Sequence, residues 1–359
     1  MATIKDVARL AGVGVGTVSR VLNGNGAASA DAIARVMTAV ETLDFRPSGI
    51  ARALSLRMLG MLGIYVPAFH GTFYGPLLQA VDEALRGADR HMVAASGCGQ
   101  ADPRRQALDG IDFLIQRECD GILVESQALE QRDLVALQRT FPKLAVINRH
   151  VDGLASRCFT SDHDFGGRLA ARALLARGHR DVAVIGGPRR AFDNEARLHG
   201  FLDEFRRRRI AVPAERIVDG DFSFEGGHRA ATQLIKQAAG RFTALFAAND
   251  QMAMAAIALL GRHGARVPQD VSVIGYDDTE PAGYLSPALT TVRIPIKDAA
   301  VAASRFLLNG CYGMKLPVAR DFPPQLVWRD SVGDGPHARK GGARQPVRDL
   351  SGVARQARA

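Results

Sequence analysis

Side chains able to hold a polar ligand recur at one kind of place in this 359-residue chain, just beyond short apolar runs. Asn148-Arg149 follows Leu144–Ile147, Asn249-Asp250 follows Ala244–Ala247, and Asp277-Asp278 follows Val271–Ile274. Arg197 lies near the start of a helical pattern after Gly186-Gly187-Pro188. A sugar hydroxyl both donates and accepts, so carboxylates, amides and guanidinium groups together satisfy it, and an aromatic face covers the apolar side of the ring. Phe73, Tyr74 and Phe222 are the aromatic candidates. Asp162-His163-Asp164 has the residue types of a metal or acid–base cluster, but adjacent residues on one strand–loop point apart, so cap and loop roles are expected there. Cap or brace roles are likewise expected of Asp250 and Asp278, and His179 is expected to end a helix and pack.

Other chemistries are not spelled out. There is no G-x-S-x-G, no P-loop, no H-E-x-x-H and no G-x-G-x-x-G after the first strand, so no enzyme is expected. Cys98, Cys119, Cys158 and Cys311 are widely spaced, with no C-x-x-C and no clustered His. That pattern points to a reducing compartment, with no disulfide framework, no metal site and no cofactor. No apolar region follows Met1 as a signal would require, and no apolar stretch is long enough to span a bilayer. A cytoplasmic protein without a membrane partner is expected.

The elements that must position these residues read as follows. From Leu59 to about Val332, apolar runs alternate with helical patterns; Leu62–Val66, Gly121–Val124 and Val182–Ile185 are further examples of the runs. Repeated β-α-β units imply doubly wound parallel sheets, which bind ligands beyond the carboxyl ends of their strands. The stretch exceeds one ordinary domain, so two similar lobes with a cleft between them are expected.

The first segment reads differently. Thr3 begins a capping box, with Asp6 in place of the usual Glu, and Val7, Ala8, Leu10 and Ala11 give the helix an apolar face. Gly12 breaks it. A second helix over about Val15–Leu22 stops at Asn23-Gly24-Asn25-Gly26, and Ser29 caps a third. Two short helices joined by a Gly-containing turn have the form of a helix-turn-helix, whose second helix enters the major groove. With Val7, Val18 and Val21 in the core, Val15, Gly16, Ser19, Arg20 and Asn23 are left for DNA. Arg suits guanine or a phosphate, and Ser and Asn suit either bases or phosphates. Charge distribution agrees: residues 1–59 carry a net +3 and residues 333–359 a net +4, leaving +2 of the total +9 on the body.

The segment TIKDVARLAGVGVGTVSRVLNG closely resembles the N-terminal signature of the lac repressor/galactose repressor (LacI/GalR) family. The likeness continues in order through DFRPSGIARAL, VINRH, RGHRDVAVIGG, EARLHGF, FTALFAANDQMAMAA, VPQDVSVIGYDD, PALTTVRIPI and LVWRDSV, over about residues 2–332. The galactose-repressor branch is the nearest in motif. The resemblance implies an all-α helix-turn-helix headpiece (1–46), a hinge helix (47–58), a two-lobed α/β core like periplasmic sugar-binding proteins (59–332) and, from composition, a disordered basic tail (333–359). It places Val15 and Gly16 at operator bases with Arg20 nearby, and Leu54 on the hinge leucine that wedges into the minor groove, with Ala51 and Ala53 small enough for two hinge helices to share it. Thr3, Thr17 and Ser48 complete the set assigned to DNA. It implies effector contacts for Arg197, Asn249 and Asp277, and pocket positions for Asn148, Phe73, Tyr74, Phe222 and Ile296.

This chain departs from the pattern at Gly14, where the family usually has a capping Ser, and at Gly16, a second helix-weakening residue. A headpiece that relies more on DNA for its order is therefore expected. The implied function is a sequence-specific repressor that binds a pseudo-palindromic operator and loses affinity on binding a sugar, galactose or a related hexoside. Residues 333–359 hold only Leu350 as a leucine, so the tetramerising heptad of some relatives is missing and a homodimer is expected. Two alternatives make different demands. A corepressor-dependent, purine-type regulator would bind DNA more tightly with ligand. A transport-type sugar-binding protein would have no use for the headpiece.

Overall fold

The computed structural model describes residues 2–23, 28–45, 58–97, 102–237 and 242–338. Two compact units are distinguished, one comprising residues 1–61 with 117–120 and one comprising 62–116 with the chain from 121 onward.

The first unit contains three helices, α1 (Ile4–Ala11), α2 (Val15–Asn23) and α3 (Ala30–Thr42). The capping box forms with aspartate: Thr3 N–H donates to Asp6 Oδ2 at 3.0 Å, and Asp6 N–H donates to Thr3 Oγ1 at 3.4 Å. Gly12 takes the left-handed conformation, φ 63°, that ends α1 and turns the chain. Val7, Val18 and Val36 are fully buried together with Ala8, Ala11 and Ala39. Small side chains at 8, 11 and 39 let the three helices approach closely. Val21 packs on this cluster, half-buried. Leu10, Ile33 and Met37 are exposed, so the apolar stripe of each helix is wider than the core it serves.

Gly14 starts α2 by backbone alone; its carbonyl accepts from Thr17 N–H at 2.8 Å and Val18 N–H at 3.2 Å. The expected hinge, with Ser48, Ala51 and Leu54, lies outside the described residues.

In the second unit the sequence alternation becomes two sheets. The first has strand order β2-β1-β3-β4-β5: β1 (Met61–Val66), β2 (His91–Ser96), β3 (Gly121–Val124), β4 (Leu144–Ile147) and β5 (Cys158–Phe159). Helices α4 (Tyr74–Arg86), α5 (Pro103–Gln116) and α6 (Gln131–Thr140) connect these strands. Then come α7 (His163–Ala176), β6 (Val182–Gly186), α8 (Phe192–Arg207), β7 (Ile217–Asp219), α9 (Phe224–Gln237), β8 (Ala244–Ala247), α10 (Asp250–Arg262), β9 (Ser272–Asp277) and β10 (Thr290–Arg293). The chain next returns to the first lobe as α11 (Ile296–Tyr312), whose Ala299, Ala303, Leu307 and Leu308 pack in that lobe's core. It goes back once more as β11 (Gln325–Val327), antiparallel to β10 at the edge of the second sheet, order β11-β10-β9-β8-β6-β7. The other pairings of the second sheet are parallel, as are those among β1, β3, β4 and β5. β1, β3, β4, β6, β8 and β9 are buried on both faces, which is why they read as apolar runs.

The expectation of disorder from residue 333 onward needs correction at its start. Gly335 N–H donates to the Arg177 carbonyl at 2.7 Å, His337 N–H to the Gly178 carbonyl at 3.1 Å, and Arg177 pairs with Asp334 at 3.1 Å. His179 lies buried between Thr243 Oγ1 (2.9 Å) and the Gly333 carbonyl (3.1 Å), so it packs as expected and also anchors the chain beyond β11. Composition missed this because the partners are mainly backbone groups. Residues 339–359 lie outside the described residues.

A Cβ added at Gly16 meets nothing within 4 Å. Replacing Gly16 with Ala is therefore expected to stabilise α2 by about 1 kcal/mol, since the glycine only adds unfolded-state freedom. Hydrogen exchange on the full-length chain should show the amides of Val18–Leu22 slowed by roughly fivefold.

Candidate functional site

On α2, Val15, Gly16 and Arg20 are exposed and Thr17 and Ser19 half-buried, while Val18 faces the core. Arg20 lies along its own helix, donating from Nε to the Gly16 carbonyl at 3.2 Å and from Nη2 to Thr17 Oγ1 at 3.4 Å. Val15, Gly16, Ser19 and Arg20 thus share an accessible edge. Asn23 ends α2, and Thr3 is exposed at the start of α1.

The second cluster lies where strand ends of the two sheets meet. Arg197, on α8, is 2% exposed. Its Nη2 donates to Asp193 Oδ2 at 2.9 Å, one turn earlier on the helix, and its Nη1 to the Ala248 carbonyl at 2.7 Å beyond β8. Asp277 Oδ1, at the end of β9, is 3.6 Å from Nη1. The guanidinium lies 4.2 Å from the Tyr276 ring centroid and 5.4 Å from that of Phe222. Burial works against its charge, but Asp193 and Asp277 more than compensate, so its pKa is raised. Burial likewise drives Asp277 well above the usual carboxylate range, with Arg197 opposing. Arg197 Nε and Asp277 Oδ1 have no hydrogen-bond partner.

From the first lobe comes a second set. Asn148, at φ 62° beyond β4, donates from Nδ2 to Glu125 Oε1 at 3.4 Å. Its Oδ1 faces His163 Nε2 at 3.0 Å, and His163 Nδ1 faces the Tyr276 hydroxyl at 3.1 Å. Burial and the charge of Arg197 hold His163 well below its ordinary pKa, so the ring is neutral with one proton. An amide oxygen can only accept, so that proton sits on Nε2 and Nδ1 accepts from Tyr276. Hydrogen bonds therefore run one way, Tyr276 to His163 to Asn148 to Glu125, from the second lobe into the first.

Tyr74 and Gln127 sit against the Glu125 carboxyl, which burial pushes up to about 7, with help from the Asp193 charge. Glu125 Oε2 and Gln127 Oε1 are buried, and neither makes a well-aligned hydrogen bond. Phe73 meets Tyr74 edge-on, with centroids 5.3 Å apart, and Phe73 and Ile296 pack on the cores of both lobes. Thr72 donates across the cleft to Gln251 Oε1 at 3.2 Å.

The predicted residues are not all alike. Arg197, Asp277, Asn148, Phe73, Tyr74 and Ile296 come together at the junction of the lobes, and Phe222, at φ 67°, faces Arg197. Asn249 has a structural duty beside the ligand contact expected of it. Its Oδ1 accepts from Met252 N–H at 3.0 Å as the cap of α10, and its Nδ2 donates to the Phe222 carbonyl at 2.9 Å, so both polar atoms are engaged by the protein. His163 is corrected: it is a buried bridge between lobes, not a cap or loop residue. Asp162 is the cap, accepting from Phe165 N–H at 2.9 Å. Asp250 braces Thr279 and Thr291, and Asp278 braces Arg293 and Arg329. Glu125 and Gln127 escaped the sequence reading although they follow β3 as Asn148 follows β4. Asp193 was legible too, four residues before Arg197 on one helix face. Among the described residues no group of three His, Cys, Asp or Glu side chains is arranged to hold a metal, and no helix is long and apolar enough to cross a membrane.

Two outcomes are expected. Asp193→Ala removes the nearer of the two carboxylates that answer buried Arg197, leaving Asp277 at 3.6 Å, and should cost about 3 kcal/mol in urea unfolding. Glu125 has a folded pKa raised above its unfolded value, so ionisation destabilises the fold as pH rises from about 4.5 to about 7. Glu125→Gln should therefore be more stable than the parent at pH 8, by order 3 kcal/mol, with the gap closing by pH 5 in parallel thermal melts.

Residues 3–48 match the bacterial regulatory proteins of the lacI family, and residues 171–332 match a periplasmic binding protein-like domain. The HTH-type transcriptional regulator GalS of Salmonella typhimurium is 37% identical over 333 residues, spanning 92% of this chain and 97% of its own. The crystal structure of a LacI-family transcriptional regulator from Burkholderia phymatum is 47% identical, with a TM-score of 0.74 over 76% of this chain and 99% of that one. The lac repressor dimer bound to operator and the anti-inducer ONPF superposes with a TM-score of 0.82 at 25% identity, over 92% of this chain and 99% of that one. These relatives are regulators, not enzymes. The chain belongs to the LacI family, and it is a DNA-binding transcriptional regulator.

Proposed function

We propose that this regulator is a sugar-responsive repressor. Two copies hold a pseudo-palindromic operator in the cytoplasm, each with α2 in a major groove, and a sugar bound between the lobes of the core releases it. The observation that carries this reading is the set of buried polar atoms at the lobe junction that make no hydrogen bond: Arg197 Nε, Asp277 Oδ1, Glu125 Oε2 and Gln127 Oε1. Donors and acceptors left over together, beside Phe73, Tyr74 and Phe222, suit a ligand rich in hydroxyls. The likeness to the galactose-repressor branch makes galactose or a related hexoside the first ligand class to test.

Release requires the sugar to favour the DNA-incompetent arrangement of the core over the competent one, since equal affinity shifts nothing. Val15, Gly16, Thr17, Ser19, Arg20 and Asn23 read or grip the operator, with Thr3 at the phosphates, and Ser48, Ala51 and Leu54 serve the hinge.

Fluorescence anisotropy of a selected pseudo-palindromic DNA tests the reading directly. Specific binding that weakens at least tenfold with one sugar of a hexose and hexoside panel is the expected result. Tightening by a ligand would make it a corepressor, and indifference to every sugar would remove the sugar-sensing function. Sedimentation of the full-length chain should give a dimer; a stable tetramer would overturn that expectation.

A further inference from the structure

The buried charges at the lobe junction do not cancel. Glu125, just beyond β3, comes from the first lobe, and Asp193 on α8 and Asp277 at the end of β9 come from the second. All three are buried. Arg197 holds Asp193 at 2.9 Å and stands 3.6 Å from Asp277. Among the described residues no cation lies within ion-pair distance of Glu125. Arg149, the other buried arginine of this region, bonds the Leu129 and Ser126 carbonyls instead. Asp250 adds a further buried carboxyl, held by Thr279 and Thr291.

The groups that face Glu125 bring no charge to match it. Tyr74 of α4 brings a phenol, and Gln127 and Asn148 bring amides. His163 of α7, which reaches it through Asn148, is neutral. From α8, across the cleft, Asp193 brings a like charge. Hydrogen bonding shows the same shortage of protons. Gln127 Nε2 donates to the Asn148 carbonyl at 3.2 Å, which leaves its oxygen to face elsewhere. That Oε1 and Glu125 Oε2 are buried acceptors without a well-aligned donor, on side chains in contact. A proton on Glu125 turns one of the two acceptors into a donor for the other. Separating the lobes would take Glu125 away from Asp193 and return water to both carboxylates, so that both ionise.

We propose that closure of the two lobes takes up a proton at Glu125, which makes the sensor respond to pH as well as to its effector. The link to closure stands on the junction itself; the link to the effector rests on the reading that a sugar binds between the lobes.

The sign follows from the two environments. In the closed junction Glu125 titrates at about 7, and in an open, hydrated cleft it returns toward the ordinary 4.5. Closure is therefore indifferent to pH below about 4.5, weakens as pH rises from there to about 7, and levels off above. A ligand that needs the closed junction should bind roughly tenfold more weakly at pH 8 than at pH 6.

The test uses the full-length chain. Infrared difference spectra without ligand should show a neutral carboxyl that ionises near pH 7 and is missing from Glu125→Gln. Small-angle scattering should show the lobes further apart at pH 8 than at pH 6. Glu125→Gln, whose amide copies the protonated acid, should stay closed at both. Calorimetry with galactose and its hexosides, in buffers of different ionisation enthalpy, should show proton uptake on binding near pH 7. Glu125→Gln should remove that uptake and flatten the pH profile. A carboxyl band that survives Glu125→Gln would place the proton elsewhere and overturn the proposal. So would lobes whose separation ignores pH, since Glu125 would then be a static buried acid. If a sugar binds equally well at pH 6 and pH 8 without proton uptake, the proposal falls and the sugar-sensing reading stands. If no sugar binds while the lobes still part with rising pH, the proposal stands and the sugar-sensing reading falls.

Discussion

A guanidinium removed from water has to be answered by the fold around it, and Arg197 sets that condition for the second lobe. Meeting it requires a helix that begins early enough for Asp193 to sit one turn before Arg197. It requires a β8 that ends where the Ala248 carbonyl can be reached, and a β9 that ends at Asp277. Tyr276 and Phe222 flank the charge, and Phe222 holds a left-handed backbone to do so. Glycines let α7 and α8 close in behind it. A Cβ on Gly167 would stand 2.0 Å from the Arg197 carbonyl oxygen, and one on Gly200 would stand 1.9 Å from that of Asp164. Burying an ion is costly unless it is paired and bonded, so these elements are positioned together or not at all.

The relay from Tyr276 to Glu125 gives the lobe junction a polarity. Each member has one donor direction compatible with its neighbour, and the relay passes through a histidine that burial keeps neutral. A ligand that offers Glu125 a hydroxyl enters a network whose donor directions from Tyr276 to Asn148 are already set. Preorganised networks of this kind discriminate by leaving wrong partners with unpaired groups. In the proposed repressor, that is the means by which a small change in ligand becomes a difference between two arrangements of the lobes.

Much of this was legible in the sequence, for identifiable reasons. The β-α alternation was clear because strands buried on both faces lose the polar interruption that marks exposed ones. The capping box at Thr3 was clear because its three-residue spacing is local. Strand-end positions pointed to Asn148 and Asp277, and a helical pattern after Gly186-Gly187-Pro188 pointed to Arg197. What failed was the assignment of partners. Asn249 caps α10 and bonds the Phe222 carbonyl, two duties that its residue type does not announce. His163 looked like one of three adjacent polar residues, and nothing local says that its partners are Asn148 and Tyr276, the latter 113 residues away. The described part of the tail, 333–338, is held chiefly through backbone carbonyls, which leave no trace in composition.

The path of the chain between the lobes carries a consequence for how the protein comes into being. The first lobe is incomplete without α11, whose Ala299–Cys311 residues fill its core, and α11 comes after most of the second lobe. The second lobe in turn waits for β11. On the ribosome, residues 1–45 can collapse on their own small core as soon as they emerge. Neither sensing lobe can close until more than 310 residues have been made. The part that reads DNA is therefore the first to mature, and for much of synthesis the nascent chain has a reader but no sensor to govern it.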